Sequence, residues 1–180
     1  METVARPVPE IELGSRIIKV NHAGEYGAIC IYSGQILMAR LTARELVTEL
    51  LEFRAHEQKH RAIFWTELQR RNRPRCRSYW FCGIGGFVLG VVTGFCGSRA
   101  IAATTVAVER VVLRHLEQQV VMLGKGDPLA VTAITSIIDD EKLHHDQSIS
   151  HFPTNGFWFR ILTPIVSMST EAVIWLGMRL

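Results

Sequence analysis

The 180-residue sequence is poor in charge and lacks several familiar patterns. Its four cysteines, Cys30, Cys76, Cys82 and Cys96, make no CxxC pair and no zinc-like spacing, so they read as small apolar residues or free thiols in a reducing compartment. The start, METVARPVPEIELG, has no signal-peptide apolar core and no Arg/Ser-rich transit helix, which predicts a cytoplasmic or already processed chain. No stretch alternates convincingly enough for a strand. Charged residues make up 21% of the chain and hydrophobic ones 48%. That balance is too apolar for an ordinary small soluble domain and too broken for a polytopic membrane protein. It predicts one domain over 1–180, touching a membrane rather than crossing it repeatedly.

The formal charge of +3 hides an asymmetry, because Arg70–Arg77 reads RRNRPRCR. Basic surface suits nucleic acid or anionic lipid. The apolar stretch that follows favours lipid, with Arg71, Arg73, Arg75 and Arg77 beside Trp80, Phe81 and Phe87, and no nucleic-acid partner is expected. From Tyr79 to Gly97 run nineteen uncharged residues, six of them glycine. As one helix this stretch spans about 28 Å, at the lower limit for a bilayer. Its glycines, and the need for the next segment to return to the bundle, favour a half-inserted hairpin or interfacial helix pair over a span.

Helical periodicity organises the rest into five segments. The first, about Glu10 to Ala39, has Ile18, His22, Glu25, Ile29, Tyr32 and Ile36 on one face. The second starts near Thr42, where Thr42 and Glu45 suggest a capping box, and its inner face carries Phe53, Glu57, His60 and Phe64. The third runs from about Ser98 to Leu123. GKGDP at Gly124–Pro128 then reads as a stop and restart, with Asp127 as cap and Pro128 in the first turn. The fourth carries Ile137, Glu141, His144 and Ser148. The fifth, about Asn155 to Leu180, is apolar and aromatic, and its Trp158, Phe159 and Trp175 extend the expected membrane face.

Two ExxH motifs, Glu57–His60 and Glu141–His144, place a carboxylate and an imidazole on one helix face, about 4.5 Å apart in rise. Either motif alone is weak. Glu25 precedes Glu57 by 32 residues, however, and Glu109 precedes Glu141 by 32. The midpoints, Leu41 and Lys125, both fall at helix breaks, so each half folds into a hairpin presenting Glu and ExxH at one level. Two such hairpins make a four-helix bundle of the ferritin-like kind, with Glu25, Glu57, His60, Glu109, Glu141 and His144 as metal ligands. Four carboxylates on apolar stripes balance two divalent metals, and mixed oxygen and nitrogen donors suit iron or manganese better than zinc or calcium. Glu57 and Glu141 are the natural bridging pair. Asp140, preceding Glu141, is placed to hold a ligand histidine, and His56 takes the equivalent place on the other hairpin. Tyr26 and His115 are further candidates for the surrounding shell, with His22 and His145 near enough to contribute.

NHAGEYGA (Asn21–Ala28), AVE (Ala107–Glu109) after a glycine-rich stretch, and DDEKLHHD (Asp139–Asp146) resemble motifs of the demethoxyubiquinone hydroxylase family. The resemblance runs from about Arg16 to the C-terminus. It implies a di-iron monooxygenase that hydroxylates the ring of a prenylated quinone with dioxygen and NADH-derived electrons. It also implies peripheral attachment to inner-membrane lipid, on the cytoplasmic face in a bacterium or the matrix face in a mitochondrion, alone, as a homo-oligomer or in a ubiquinone-biosynthesis complex. Some members have a tyrosine where Leu116 follows His115. The alternatives are another membrane-bound di-iron oxidase, such as a quinol oxidase, whose NERMH-like and RADE-like motifs are absent, or a ferritin-like iron-binding protein.

Overall fold

The computed structural model describes residues 10–151 and 155–180; the start of the chain, on which the leader expectation rests, lies outside them. The described residues form α1 (Glu10–Thr42), α2 (Val47–Arg70), α3 (Tyr79–Phe95), α4 (Ser98–Leu123), α5 (Pro128–Thr135), α6 (Ile138–His151) and α7 (Phe157–Gly177), with a 3-10 turn at Arg44–Leu46 before α2. Among the described residues there is no strand. Helices α1, α2, α4 and α6 make the bundle, α3 lies along α1, and α7 lies along α4.

The order is that of a duplicated unit. Adding 84 to the numbers of Glu25, Glu57 and His60 gives Glu109, Glu141 and His144. Each half is a helical hairpin followed by an apolar helix packed on the hairpin's first helix. Two apolar layers enclose the ligand level. At one end Ile17, Ile18, Phe64, Leu68, Leu123 and Ile134 form a dry cluster, and at the other Tyr32, Ile36, Leu46, Leu50 and Phe53 form a second. Each such side chain contributes about 1.5–3 kcal/mol by leaving water.

The ends of the hairpins differ in part from the expected ones. Asp127 caps α5 as predicted, accepting from the Ala130 N–H with Pro128 in the first turn, and Gly124 takes a positive φ of 46° after α4. Asp127 also receives Arg71 in a bidentate pair, Nη1–Oδ2 2.6 Å and Nη2–Oδ1 2.7 Å, which ties α2 to α5. The Thr42–Glu45 capping box does not form. Thr42 instead ends α1, and its hydroxyl donates to the Gly94 carbonyl at 2.6 Å, so it closes the α1–α3 contact rather than opening α2. The expected fourth helix is broken at Ser136–Ile137 into α5 and α6.

The apolar stretch is one helix, α3, not a hairpin. Its glycines let two backbones meet: an added Cβ would lie 2.4 Å from the Gly27 carbonyl oxygen at Gly86 and 2.1 Å from the Ile31 carbonyl oxygen at Gly90. Close packing on α1, rather than a turn, is therefore what these glycines provide. Gly90→Ala is expected to cost about 1–3 kcal/mol in thermal unfolding. Gly85→Ala, whose Cβ would meet nothing within 4 Å, should cost nothing; equal losses would refute the close-approach account.

Candidate metal centre

Periodicity brings the six predicted ligands to the bundle axis: Glu25 from α1, Glu57 and His60 from α2, Glu109 from α4, Glu141 and His144 from α6. All six are at most 5% exposed. Glu25, Glu57, His60 and Glu141 each offer an atom within 4.8 Å of the others', and Glu57, Glu109, Glu141 and His144 do the same. Glu57 and Glu141 belong to both groups, as expected of a bridging pair.

Their atoms converge without satisfying one another. His60 Nδ1 lies 3.0 Å from Glu141 Oε1 and 3.8 Å from both Glu25 Oε2 and Glu57 Oε2. His144 Nδ1 lies 3.2 Å from Glu57 Oε1 and 3.7 Å from Glu141 Oε2. Yet both Nδ1 atoms, Glu57 Oε1 and both Glu141 oxygens are buried without a hydrogen-bond partner. Two donors bonded at about 2.0–2.2 Å to one ion sit roughly 3–3.5 Å apart. Orphaned lone pairs at such separations fit two divalent cations of the iron or manganese kind.

The surrounding shell is crossed between the halves. Asp140 Oδ2 lies 3.0 Å from His60 Nε2, and His56 Nδ1 lies 3.0 Å from His144 Nε2. Each residue preceding an ExxH glutamate thus faces the histidine of the other motif. Tyr32, not singled out from the sequence, donates its hydroxyl to Glu109 Oε1 at 2.8 Å in a fully buried setting. Its position seven residues after Glu25 on the ligand face was the available signal. Asn21 and Gln119 exchange side-chain hydrogen bonds of 2.8 and 3.2 Å between α1 and α4.

Other expected site residues lie apart from the centre. Tyr26 stacks on Tyr79 with ring centroids 4.2 Å apart. His22 is buried between Trp65 and Tyr79, where burial, with Arg61 and Arg75, lowers its pKa to about 4. His145 meets Asp146. His115 reaches Glu171 of α7 at 2.8 Å and lines a cavity of about 330 Å³. That cavity runs between α3 and α7, past Phe81, Leu89 and Val173, to Glu25, Glu57, Glu109 and Glu141.

The arginine cluster divides into the buried side chain of Arg71 and the exposed Arg70, Arg73, Arg75 and Arg77. Arg71 has a side chain only 5% exposed, held by Glu67 and Asp127, so its expected lipid role is corrected to an internal clamp. Arg73 pairs with Glu12. Arg75 lies over the Trp65 and Tyr79 rings at 4.7 and 5.0 Å. Arg77 is exposed. Trp80, Phe81 and Phe87 are exposed, as is Trp175 of α7. Phe159, expected on the same face, is instead buried against Ala102, Ala103 and Val106.

A family model for ubiquinone biosynthesis protein COQ7 matches residues 12–177. The chain belongs to the COQ7 family. It is 34% identical over 170 residues to the mitochondrial NADPH-dependent 3-demethoxyubiquinone 3-hydroxylase of Dictyostelium discoideum, covering 91% of this chain and 76% of that protein. To the mouse protein of the same name it is 32% identical over 172 residues, with 91% and 76% covered. To the 3-demethoxyubiquinol 3-hydroxylase of Rhodospirillum rubrum it is 31% identical over 168 residues, with 91% and 77% covered.

In this COQ7-family centre the metal-free charge is balanced by protons. Burial, then the carboxylate of Glu57, holds Glu25 well above the ordinary carboxylate range, and burial with Glu141 does the same for Glu109. Burial alone would lower the histidines, but the facing Glu141 and Glu57 carboxylates outweigh it and raise His60 to about 10 and His144 to about 9. A group whose folded pKa is raised binds more protons folded than unfolded, so stability falls as pH rises. The contribution of the two imidazoliums is complete below about pH 6.5 and is lost as pH rises through about 9 to 10. The metal-free protein should therefore melt at progressively lower temperature between pH 6.5 and 10, and saturating divalent metal should flatten that slope by replacing the protons. A melting temperature that rises over this range would refute the assignment.

Proposed function

We propose that this chain is a peripheral inner-membrane di-iron monooxygenase that hydroxylates the ring of a demethoxyubiquinone-type polyprenylated quinone in ubiquinone biosynthesis. The observation that carries the reading is the cavity running from between two exposed apolar helices to four buried glutamates. Support comes also from the names of the relatives, which place a hydroxylase acting on this class of quinone in the same family. Glu25, Glu57, His60, Glu109, Glu141 and His144 would hold two iron ions, which when bound would supply the redox-active site for dioxygen, re-reduced by the external electron donor.

The chain's own tasks are physical. Leu89, Val112 and Val173 give the quinone an apolar passage and keep water from the centre. Gly85, where an added Cβ would meet nothing within 4 Å, leaves room beside them. The exposed Trp80, Phe81 and Phe87 of α3 and Trp175 of α7 enter the lipid boundary on either side of the mouth, so the prenyl tail stays in the bilayer while the ring enters. Helix α7 is long and apolar enough to cross a membrane by length and composition, but its packing along α4 and the paired Glu171 favour a place at the surface. The electrons come from a reduced nicotinamide nucleotide. NADH is the expectation from sequence, and the names of the Dictyostelium and mouse relatives print NADPH.

The decisive experiment expresses the chain in a strain lacking quinone-ring hydroxylation and analyses its lipids by mass spectrometry. Conversion of the unhydroxylated precursor is expected, and precursor accumulating beside well-expressed protein would sink the reading. Glu57→Ala removes a ligand shared by both metal positions. It should abolish rescue, a larger loss than the roughly 10- to 100-fold that follows loss of an outer hydrogen-bond partner. Membrane attachment is tested separately with Phe81→Ser and Trp175→Ser. Each should weaken sedimentation with phosphatidylglycerol-containing vesicles by roughly tenfold or more, from the apolar burial lost, while metal content is retained. Unchanged vesicle binding in the double variant would refute attachment through this face.

A further inference from the structure

The duplicated architecture makes the two metal positions directly comparable. Glu57 and Glu141 are common to both, so any difference lies in Glu25 and His60 on one side, Glu109 and His144 on the other, and in what holds each. The 84-residue shift pairs His56 with Asp140 and Tyr32 with Leu116. At these two places the halves differ: His56, Asp140 and Tyr32 each hydrogen-bond a central residue, whereas Leu116 is a buried apolar side chain.

Asp140 and His56 do the same mechanical work. Each meets the Nε2 of a ligand histidine at 3.0 Å, which leaves that ring's Nδ1 facing the carboxylates. Their chemistry differs. A carboxylate behind an imidazole raises its strength as a ligand and adds a negative charge beside the metal. A second imidazole orients the ring but adds no such charge. The other divergence acts the same way. Tyr32 occupies Glu109 Oε1 with a 2.8 Å hydrogen bond inside the core, so Glu109 has one oxygen engaged. Its counterpart position beside Glu25 is Leu116, which has nothing to donate. Glu25 therefore lacks the tyrosine bond that engages Glu109.

We infer that the two metal positions are inequivalent, the one built by Glu25 and His60 binding a divalent ion more tightly and filling before the one built by Glu109 and His144. Asp140 and His56 are the positioning residues that set this order. The inference rests on the di-metal reading above and adds to it a sequence of loading.

The test is titration of the metal-free full chain with manganese(II), followed by electron paramagnetic resonance. The first equivalent is expected to appear as an isolated bound ion, with a dissociation constant about tenfold or more below the second. The second equivalent should convert that signal to a spin-coupled pair. Asp140→Asn keeps the shape and removes the charge. It should weaken the first step by about 10-fold or more and leave the second within about twofold, so that the steps merge. His56→Asp gives the second position the carboxylate of the first and should merge the steps from the other side, by tightening the second. It carries the test alone if Asp140→Asn does not fold. Spin-coupled pairs already dominant at one equivalent, with both ions bound at one affinity, would overturn the inference while leaving the di-metal reading intact. So would an Asp140→Asn variant whose first step is unchanged. Failure to bind any manganese would instead overturn the di-metal reading itself.

Discussion

Each unpaired carboxylate in an apolar interior costs several kcal/mol, and this bundle sets four of them, with two imidazoles, at one level between two dry clusters. The remaining architecture answers that cost. The helices have to hold register so that the charges meet one another rather than hydrocarbon. Asn21 and Gln119 lock α1 to α4 by reciprocal hydrogen bonds near the centre. At the far end Arg71 joins α2 to α5 through Asp127, which simultaneously caps α5. A slip of one residue in any of the four ligand helices would rotate its glutamate by about 100° away from the axis, so these ties protect the chemistry as much as the fold.

Duplication explains how so short a chain provides both the centre and its access. The hairpin of each half supplies three of the six central side chains, and the apolar helix that follows covers the hairpin's first helix. Helices α3 and α7 consequently flank one cavity, and the route to the carboxylates passes between them. The backbone contact of Gly86 and Gly90 with α1 brings α3 close enough to shape that cavity. The same packing leaves Phe81 and Phe87 on the outer side of α3. Close approach inside and apolar exposure outside are thus two faces of one short helix.

The convergence of these six side chains was legible in the sequence because it rests on periodicity and equal spacing, which survive any detail of packing. Glu25 and Glu109 sit 32 residues before their ExxH partners, and the turns at Thr42–Leu46 and Gly124–Asp127 fall where those spacings require. Local signals whose partners lie far away in sequence were misleading. Thr42 and Glu45 have the spacing of a capping box, but the Thr42 hydroxyl is engaged by Gly94, fifty-two residues on. The glycines of α3 suggest a turn when read alone and mean close packing once α1 is beside them. Arg71 reads as surface charge until Asp127 arrives from the other hairpin. Tyr32 lay on a recognised face, and only the position of Glu109 across the bundle reveals its role.

The arginines also bear on the proposed contact with lipid. Of the five in RRNRPRCR, Arg70 and Arg71 are engaged by Glu67, Arg73 by Glu12, and Arg75 by two aromatic rings. Arg71 thus fastens the end of α2 to α5, while Arg70, Arg73, Arg75 and Arg77 stay exposed. Also facing outward are the apolar outer side of α3 and the exposed Ile165, Met168 and Trp175 of α7. Burial of such surface is insensitive to ionic strength, whereas attraction of exposed charges to lipid is screened beyond about 10 Å at 0.1 M salt. Under the proposed function, attachment would use the same apolar helices, α3 and α7, whose residues line the cavity that reaches the four glutamates.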